Sequence, residues 1–267
     1  MERAVGEGRR GARAPSLAGD LARRDRGSLL GAAALVALAA AALTLVGSGP
    51  ADAGSLRASE VRAVGAGTLT SLRVPVYARP TRSSRRVAVL RQFRPDFRPL
   101  YVLALEVRAR VDGTPAWYRI TYPGRPNGQT GWVRASAVEL RPVRKRLVIY
   151  RGERRFEFWV GDRLLRTGKV AVGKPGAETP SGLFYVTWKF DPTIDPEWAI
   201  LGAYAFETSA YSRLTDWPGG GIVGVHGTPW PELLGQAVSH GCVRLHNRDI
   251  LFLKPRVPLG TPVKIVP

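Results

Sequence analysis

The sequence predicts a mainly β protein, two β domains behind one apolar segment, and three observations carry that prediction. From residue 67 onward the apolar residues come in short runs, many alternating with period two and separated by Gly, Pro, Asn and Asp. Helical patterning is confined to the brief run Ile250-Leu251-Phe252-Leu253. A length of 267 residues at 45% apolar and 23% charged suits about two packed cores rather than a disordered chain. The 30 Gly and 21 Pro follow no period, which removes collagen-like and coiled-coil classes. A single cysteine, Cys242, removes a disulfide scaffold and any zinc site built on several thiolates.

Residues 1–27 hold seven arginines and read as a basic leader on the cytoplasmic side. Ser28 to Val46 is nineteen residues without a charge, long enough at ~1.5 Å per residue to cross a bilayer core. Residues 28–46 are therefore expected to be a transmembrane or signal segment, with everything beyond residue 54 exported. Ala51-Asp52-Ala53 has the small-x-small form of a signal-peptidase site, so cleavage after Ala53 is the alternative to anchoring.

The chain carries 40 Lys plus Arg against 21 Asp plus Glu, a net +19, with only six lysines. The split is +2 in residues 1–56, +10 in 57–140 and +7 in 141–267. Most of the excess thus lies beyond the apolar segment. Its expected partners are anionic wall polymers or anionic lipid, the alternative being a solvated Arg-rich surface; no nucleic-acid partner is expected.

Residues 67–140 form the first β domain. Val74–Tyr77, Val87–Leu90, Leu100–Leu105, Trp117–Tyr122, Gly131–Val133 and Ala137–Leu140 read as strands, with Asn127-Gly128 as a hairpin turn. The order of Val-Tyr-Ala-x-Pro, Trp-Tyr-x-Ile and Gly-Gln-Thr-Gly-Trp-Val resembles a bacterial SH3-like barrel, which implies a wall-binding or spacing module without chemistry. Trp117 and Trp132 are expected in its core rather than in a groove. Residues 141–146 read as a linker.

The second domain, 146–267, opens with a hairpin of Leu147–Tyr150 and Arg155–Val160, followed by strands over 164–173 and 183–188. Asp191 to Gly221 has few strand signals and is expected to be an irregular lid, with Tyr204, Tyr211 and Trp217 as candidates for substrate contact. Ile222–Val225 is a buried strand running into His226. Asn247-Arg248-Asp249 is expected to cap the short helix, and residues 259–266 supply a final turn and strand.

All three histidines lie in residues 226–246, and the one cysteine lies among them. Nucleophilic catalysis by a thiol needs a sulfur, a base and donors for the oxyanion. Cys242 supplies the sulfur beside Gly241, where backbone N–H groups can approach a carbonyl closely. His226, sixteen residues upstream at a strand end, is the base candidate. On an extended backbone His240 and Arg244 would share the face of Cys242, and Arg244 could lower the thiol pKa from its ordinary ~8.5. The competing readings are a buried structural cysteine and a zinc site of His240, Cys242 and His246.

His226-Gly227-Thr228, Gly235, and Ser239-His240-Gly241-Cys242-Val243-Arg244-Leu245-x-Asn247-x-Asp249 together resemble the signature of the L,D-transpeptidase (YkuD-type) catalytic domain. Thr179-Pro180-x-Gly182-x-Phe184 and Val257-Pro258-x-Gly260-Thr261-Pro262-Val263 are similar to its flanking motifs. The resemblance implies a YkuD-type β-sandwich and cross-linking between the third residues of two peptidoglycan stem peptides, without a cofactor or metal, in the bacterial cell envelope. It also implies Cys242 as nucleophile and His226 as base. The N–H groups of Cys242 and Gly241 would form the oxyanion hole, Arg244 and His240 would position substrate, and Ser239 would support the geometry. Family members often carry a polar residue after the histidine; with Gly227 here, a backbone carbonyl must orient the ring. The alternatives are an L,D-carboxypeptidase using the same acyl-enzyme and a non-catalytic wall-binding protein. Papain-like and NlpC-type hydrolases place the cysteine before the histidine, the reverse of the order here.

Overall fold

The structure is a computed structural model that describes residues 60–216 and 218–267. The leader, the 28–46 segment, the Ala53 site and Trp217 lie outside the described residues. Among the described residues no helix is long and apolar enough to cross a membrane.

Seven strands build the N-terminal sheet: β1 (Gly65–Leu69), β2 (Arg73–Tyr77), β3 (Arg86–Arg91), β4 (Tyr101–Ala109), β5 (Pro115–Thr121), β6 (Thr130–Arg134) and β7 (Val138–Arg141). They are hydrogen-bonded in the order β3-β2-β6-β5-β4-β1-β7, each pair antiparallel. Period-two alternation explains the packing: Val74 and Val76 of β2 turn inward to meet Val102, Ile120 and Val133. Trp132 is buried and Trp117 stands edge-on to Tyr77 at 5.7 Å between ring centroids. Strand β1 is absent from the sequence expectations because Gly65-Ala66-Gly67 lacks the residues that favour strands. The expected tight turn at Asn127-Gly128 is a longer loop. Only Gly128 has positive φ, and the Asn127 amide bonds both backbone groups of Tyr211, at 2.7 and 2.9 Å.

Nine strands and one helix follow: β8 (Lys145–Tyr150), β9 (Arg155–Val160), β10 (Arg163–Gly173), β11 (Gly182–Phe190), β12 (Ala205–Tyr211), β13 (Ile222–His226), β14 (Ala237–Ser239), β15 (Val243–Leu245), α1 (Asn247–Leu253) and β16 (Pro262–Val266). Two long strands each serve both layers. The first part of β10 pairs with β9 and its end with β15 and β14; the first part of β11 pairs with β16 and its end with β12. The nine strands hydrogen-bond in the order β14-β10-β15-β13-β12-β11-β16-β8-β9, with β9 also pairing with β10, around a core that holds Leu147, Phe156, Phe158, Val225, Leu245 and Ile250. Burying each such side chain contributes about 1.5–3 kcal/mol.

The expected lid over 191–221 needs correction. It contains β12, which pairs with β11 on one side and β13 on the other. The strand is hidden in sequence because it is buried on both faces, so Ala205-Phe-Glu-Thr-Ser-Ala-Tyr shows no clean alternation. Before it stand two 3-10 turns, Pro192–Ile194 and Pro196–Leu201, started by the carboxylates of Asp191 and Asp195. Tyr204 is in the core.

The presumed linker is also shorter than 141–146, since β8 begins at Lys145 and Val143 packs against Ala66, Leu103 and Tyr185. Tyr185 of β11 is fully buried there, its hydroxyl donating to the Tyr101 carbonyl at 2.9 Å. Tyr185→Ala is expected to cost about 3–5 kcal/mol by leaving a large void, and Tyr185→Phe about 1 kcal/mol. Urea unfolding checks both; an unchanged midpoint for Tyr185→Ala would contradict this packing.

Candidate active site

The strand ends around Cys242 set the geometry. β13 and β15 run parallel, Val225 opposite Val243 and His226 opposite Arg244, which brings 224–226 beside 242–244. Val243 and Leu245 point into the core, leaving Arg244 between them on the other face. The Gly224 N–H donates to Cys242 Sγ at 3.3 Å. A Cβ placed on Gly224 would lie 3.5 Å from His226 Cδ2 and 3.7 Å from Cys242 Sγ. Thiol and imidazole therefore both border the space beside Gly224. Both line one cavity of about 460 Å³, walled by Trp188, Phe190, Trp198 and Phe206, with Arg98 and Glu207 as polar neighbours.

His226 is only 3% exposed, and its Nδ1 lies 2.6 Å from the Gly227 carbonyl oxygen. A carbonyl only accepts, so the neutral ring carries its proton on Nδ1 toward Gly227. Burial pushes the imidazole pKa down to about 4, opposed by the Gly227 and Leu201 carbonyls and aided by the Arg244 charge. The carbonyl that must orient the ring is thus Gly227's own. Glycine is required at 227 because a Cβ there would collide with Asn247 Oδ1. That oxygen accepts from the Ala203 and Thr228 N–H groups, each at 3.0 Å, and pins the chain on either side of the histidine.

Burial raises the Cys242 thiol pKa, opposed by the Gly224 N–H and by Arg244. The expected lowering by Arg244 is present but outweighed. Burial thus favours the neutral form of both the thiol and the imidazole.

Ser239, 1% exposed, donates from Oγ to the Cys242 carbonyl at 2.5 Å and accepts the Gly241 N–H at 3.2 Å. The Gly241 N–H, expected to face an oxyanion, is thus engaged by the Ser239 hydroxyl. Gly241 instead supplies a backbone φ of 117° and leaves room for Ser212, whose Cβ would lie 2.7 Å from an added Cβ. The same φ breaks the extended run, so alternation does not place His240 on the face of the thiol. Neither His240 nor Arg244 lines the Cys242 cavity. The Arg244 guanidinium lies 6.0 Å from the Trp230 ring centre, its Nε buried without a hydrogen-bond partner. His246, a member of the zinc alternative, accepts the Arg248 N–H at Nδ1 and is itself the helix cap, one residue before the stretch expected to cap it. Among the described residues no group of three or more His, Cys, Asp or Glu could hold a metal ion.

Two contributors were not legible as such. Gly224 was signalled only by a glycine inside an apolar strand, which marks close approach. Thr179 belongs to a quoted motif, but its role appears only in three dimensions: fully buried, it accepts the Gly173 N–H at 2.9 Å and donates to the Gly241 carbonyl at 2.8 Å. Thr179→Val keeps the shape and orphans both groups, so a loss of about 2–3 kcal/mol is expected, with Thr179→Ser recovering most of it. Thermal unfolding of the two variants is the check, and equal stability would show that the hydroxyl is dispensable.

Residues 144–265 match the YkuD family, the L,D-transpeptidase catalytic domain. The chain is 32% identical over 174 residues to the L,D-transpeptidase YkuD of Bacillus licheniformis, covering 64% of this chain and 90% of that one. It is 29% identical over 171 residues to YkuD of Bacillus subtilis, covering 64% and 88%. Among solved structures, an L,D-transpeptidase from Mycobacterium smegmatis shares 20% identity at a TM-score of 0.41, over 62% of this chain and 90% of that one. The identity to the Bacillus licheniformis protein along nearly its whole length places this chain in the YkuD family of L,D-transpeptidases.

Proposed function

We propose that this chain is a peptidoglycan L,D-transpeptidase acting through an acyl-enzyme on Cys242, with His226 as base. The observation that carries the reading is the presence of thiol and imidazole in one cavity beside Gly224, the ring held by the Gly227 carbonyl. Sγ gives its proton to Nε2 of His226 and bonds to the carbonyl carbon of the third stem residue. The oxyanion meets the Cys242 N–H, which donates to no acceptor among the described residues. Collapse breaks the bond to the terminal D-Ala, whose leaving amine takes the proton from His226. A side-chain amine of a second stem then attacks the thioester, passes a proton through His226 and frees Cys242. Incubation with purified muropeptides tests this: cross-linked dimers are expected, whereas trimmed monomers alone would mean that water is the acceptor.

The reading places the chain in the bacterial cell envelope, held by residues 28–46 or released after Ala53. Residues 67–140 act as an SH3-like module, and the +10 charge of residues 57–140 suits anionic wall polymers.

A further inference from the structure

The cavity that holds Cys242 and His226 is not built by the catalytic sandwich alone. Arg98, which lines it, belongs to the N-terminal sheet and sits between β3 and β4. Residues 92–100 form a small finger tied across its base, with Leu100 N–H donating to the Gln92 carbonyl at 2.8 Å and Arg94 N–H to the Arg98 carbonyl at 2.9 Å. At its tip Phe97 holds φ at 62°, a conformation that bulky residues rarely adopt, and is 87% exposed. The finger is therefore pre-shaped, not slack.

It is also braced onto the strand next to the thiol. Glu207 of β12 accepts from Arg94 at 2.9 Å and from Arg98 at 3.2 Å. Glu207 stands opposite Gly224 in the β12–β13 pair, and Gly224 is the donor to Cys242 Sγ. The Arg98 guanidinium lies 4.8 Å from the Trp188 ring centre. Its Nε and Nη2 are spent on Asp96 and Glu207, whereas Nη1 has no partner among the described residues. The side chain is 22% exposed. A guanidinium held over an aromatic wall, with one nitrogen unspent, is suited to take a carboxylate as an added charge-assisted partner.

We propose that the 92–100 finger forms one wall of the peptide site and that Arg98 is a substrate-binding residue, its Nη1 donating to a side-chain carboxylate of the donor peptide. This rests on the reading of the Cys242 cavity as the site of the peptide. It gives the N-terminal sheet a part in substrate choice beyond spacing the enzyme from its anchor.

The test is binding without turnover, in the full chain carrying Cys242→Ala. Two probes are compared by calorimetry: a defined tetrapeptide with a free side-chain carboxylate and the same peptide with that group amidated. The free acid is expected to bind about tenfold tighter, the size of one charge-assisted hydrogen bond. Arg98→Ala should erase the preference, and Arg98→Lys should keep part of it. Arg94→Ala removes one brace on Glu207 without touching the cavity and should leave the preference intact. Equal binding of the two peptides, or a preference that survives Arg98→Ala, overturns the proposal, as does its loss in Arg94→Ala alone. Failure of the transpeptidase reading would show separately, as absence of an acyl adduct on Cys242 in the unsubstituted chain.

Discussion

Cys242→Ala is expected to abolish cross-link formation, a fall of about four orders of magnitude or more in kcat, because it removes the sulfur proposed to attack the carbonyl. Stability should barely change. The variant keeps the Cβ and gives up only the Gly224 N–H contact, at a cost of about 1 kcal/mol. Turnover on muropeptides together with an unfolding curve separates the two effects. Full residual activity in a folded variant would remove Cys242 from the mechanism.

His226→Gln carries the second large effect, a loss of about 10²–10⁴-fold in acylation rate, since the thiol would lose the group that takes its proton. The same substitution has a signature in stability. The folded imidazole titrates at about 4 and an unfolded one near 6.5. Between those pH values the unfolded state binds more protons, so stability falls as pH drops through that window. At ~1.4 kcal/mol per pKa unit, the buried imidazole costs the fold about 3 kcal/mol on going from pH 7 to pH 4. His226→Gln should flatten that part of the pH–stability curve. A wild-type curve with no slope there would mean that the ring is more solvated than its burial indicates.

Much of the site was legible in the sequence because the chemistry demands rare residues close together. One cysteine and three histidines within a short stretch marked the place, and a strand end at His226 followed from the apolar run before it. The requirement for a carbonyl to steady the ring followed from Gly227 and is met by that residue's own oxygen. Features that depend on long-range pairing were not legible. Strand β12 is buried on both faces and loses the alternation that reveals strands. Gly241 was expected to donate to an oxyanion because glycine allows close approach, yet its N–H is taken by the Ser239 hydroxyl two residues back. Aromatic residues near the site were legible only in part. Tyr204 is in the core, and Tyr211 lies under the Arg125 guanidinium, 4.9 Å away, while Trp188, Phe190 and Trp198 form the cavity wall. The approach of Arg98 from more than a hundred residues upstream leaves no local signal at all.

The most direct test of the acyl-enzyme is intact-protein mass spectrometry after brief incubation with a defined tetrapeptide donor and no acceptor. The expected result is a mass increase equal to the donor less its terminal D-Ala, mapped by proteolysis to Cys242 and absent from Cys242→Ala. Release of D-Ala with no adduct on Cys242 and unchanged rates in Cys242→Ala would contradict it.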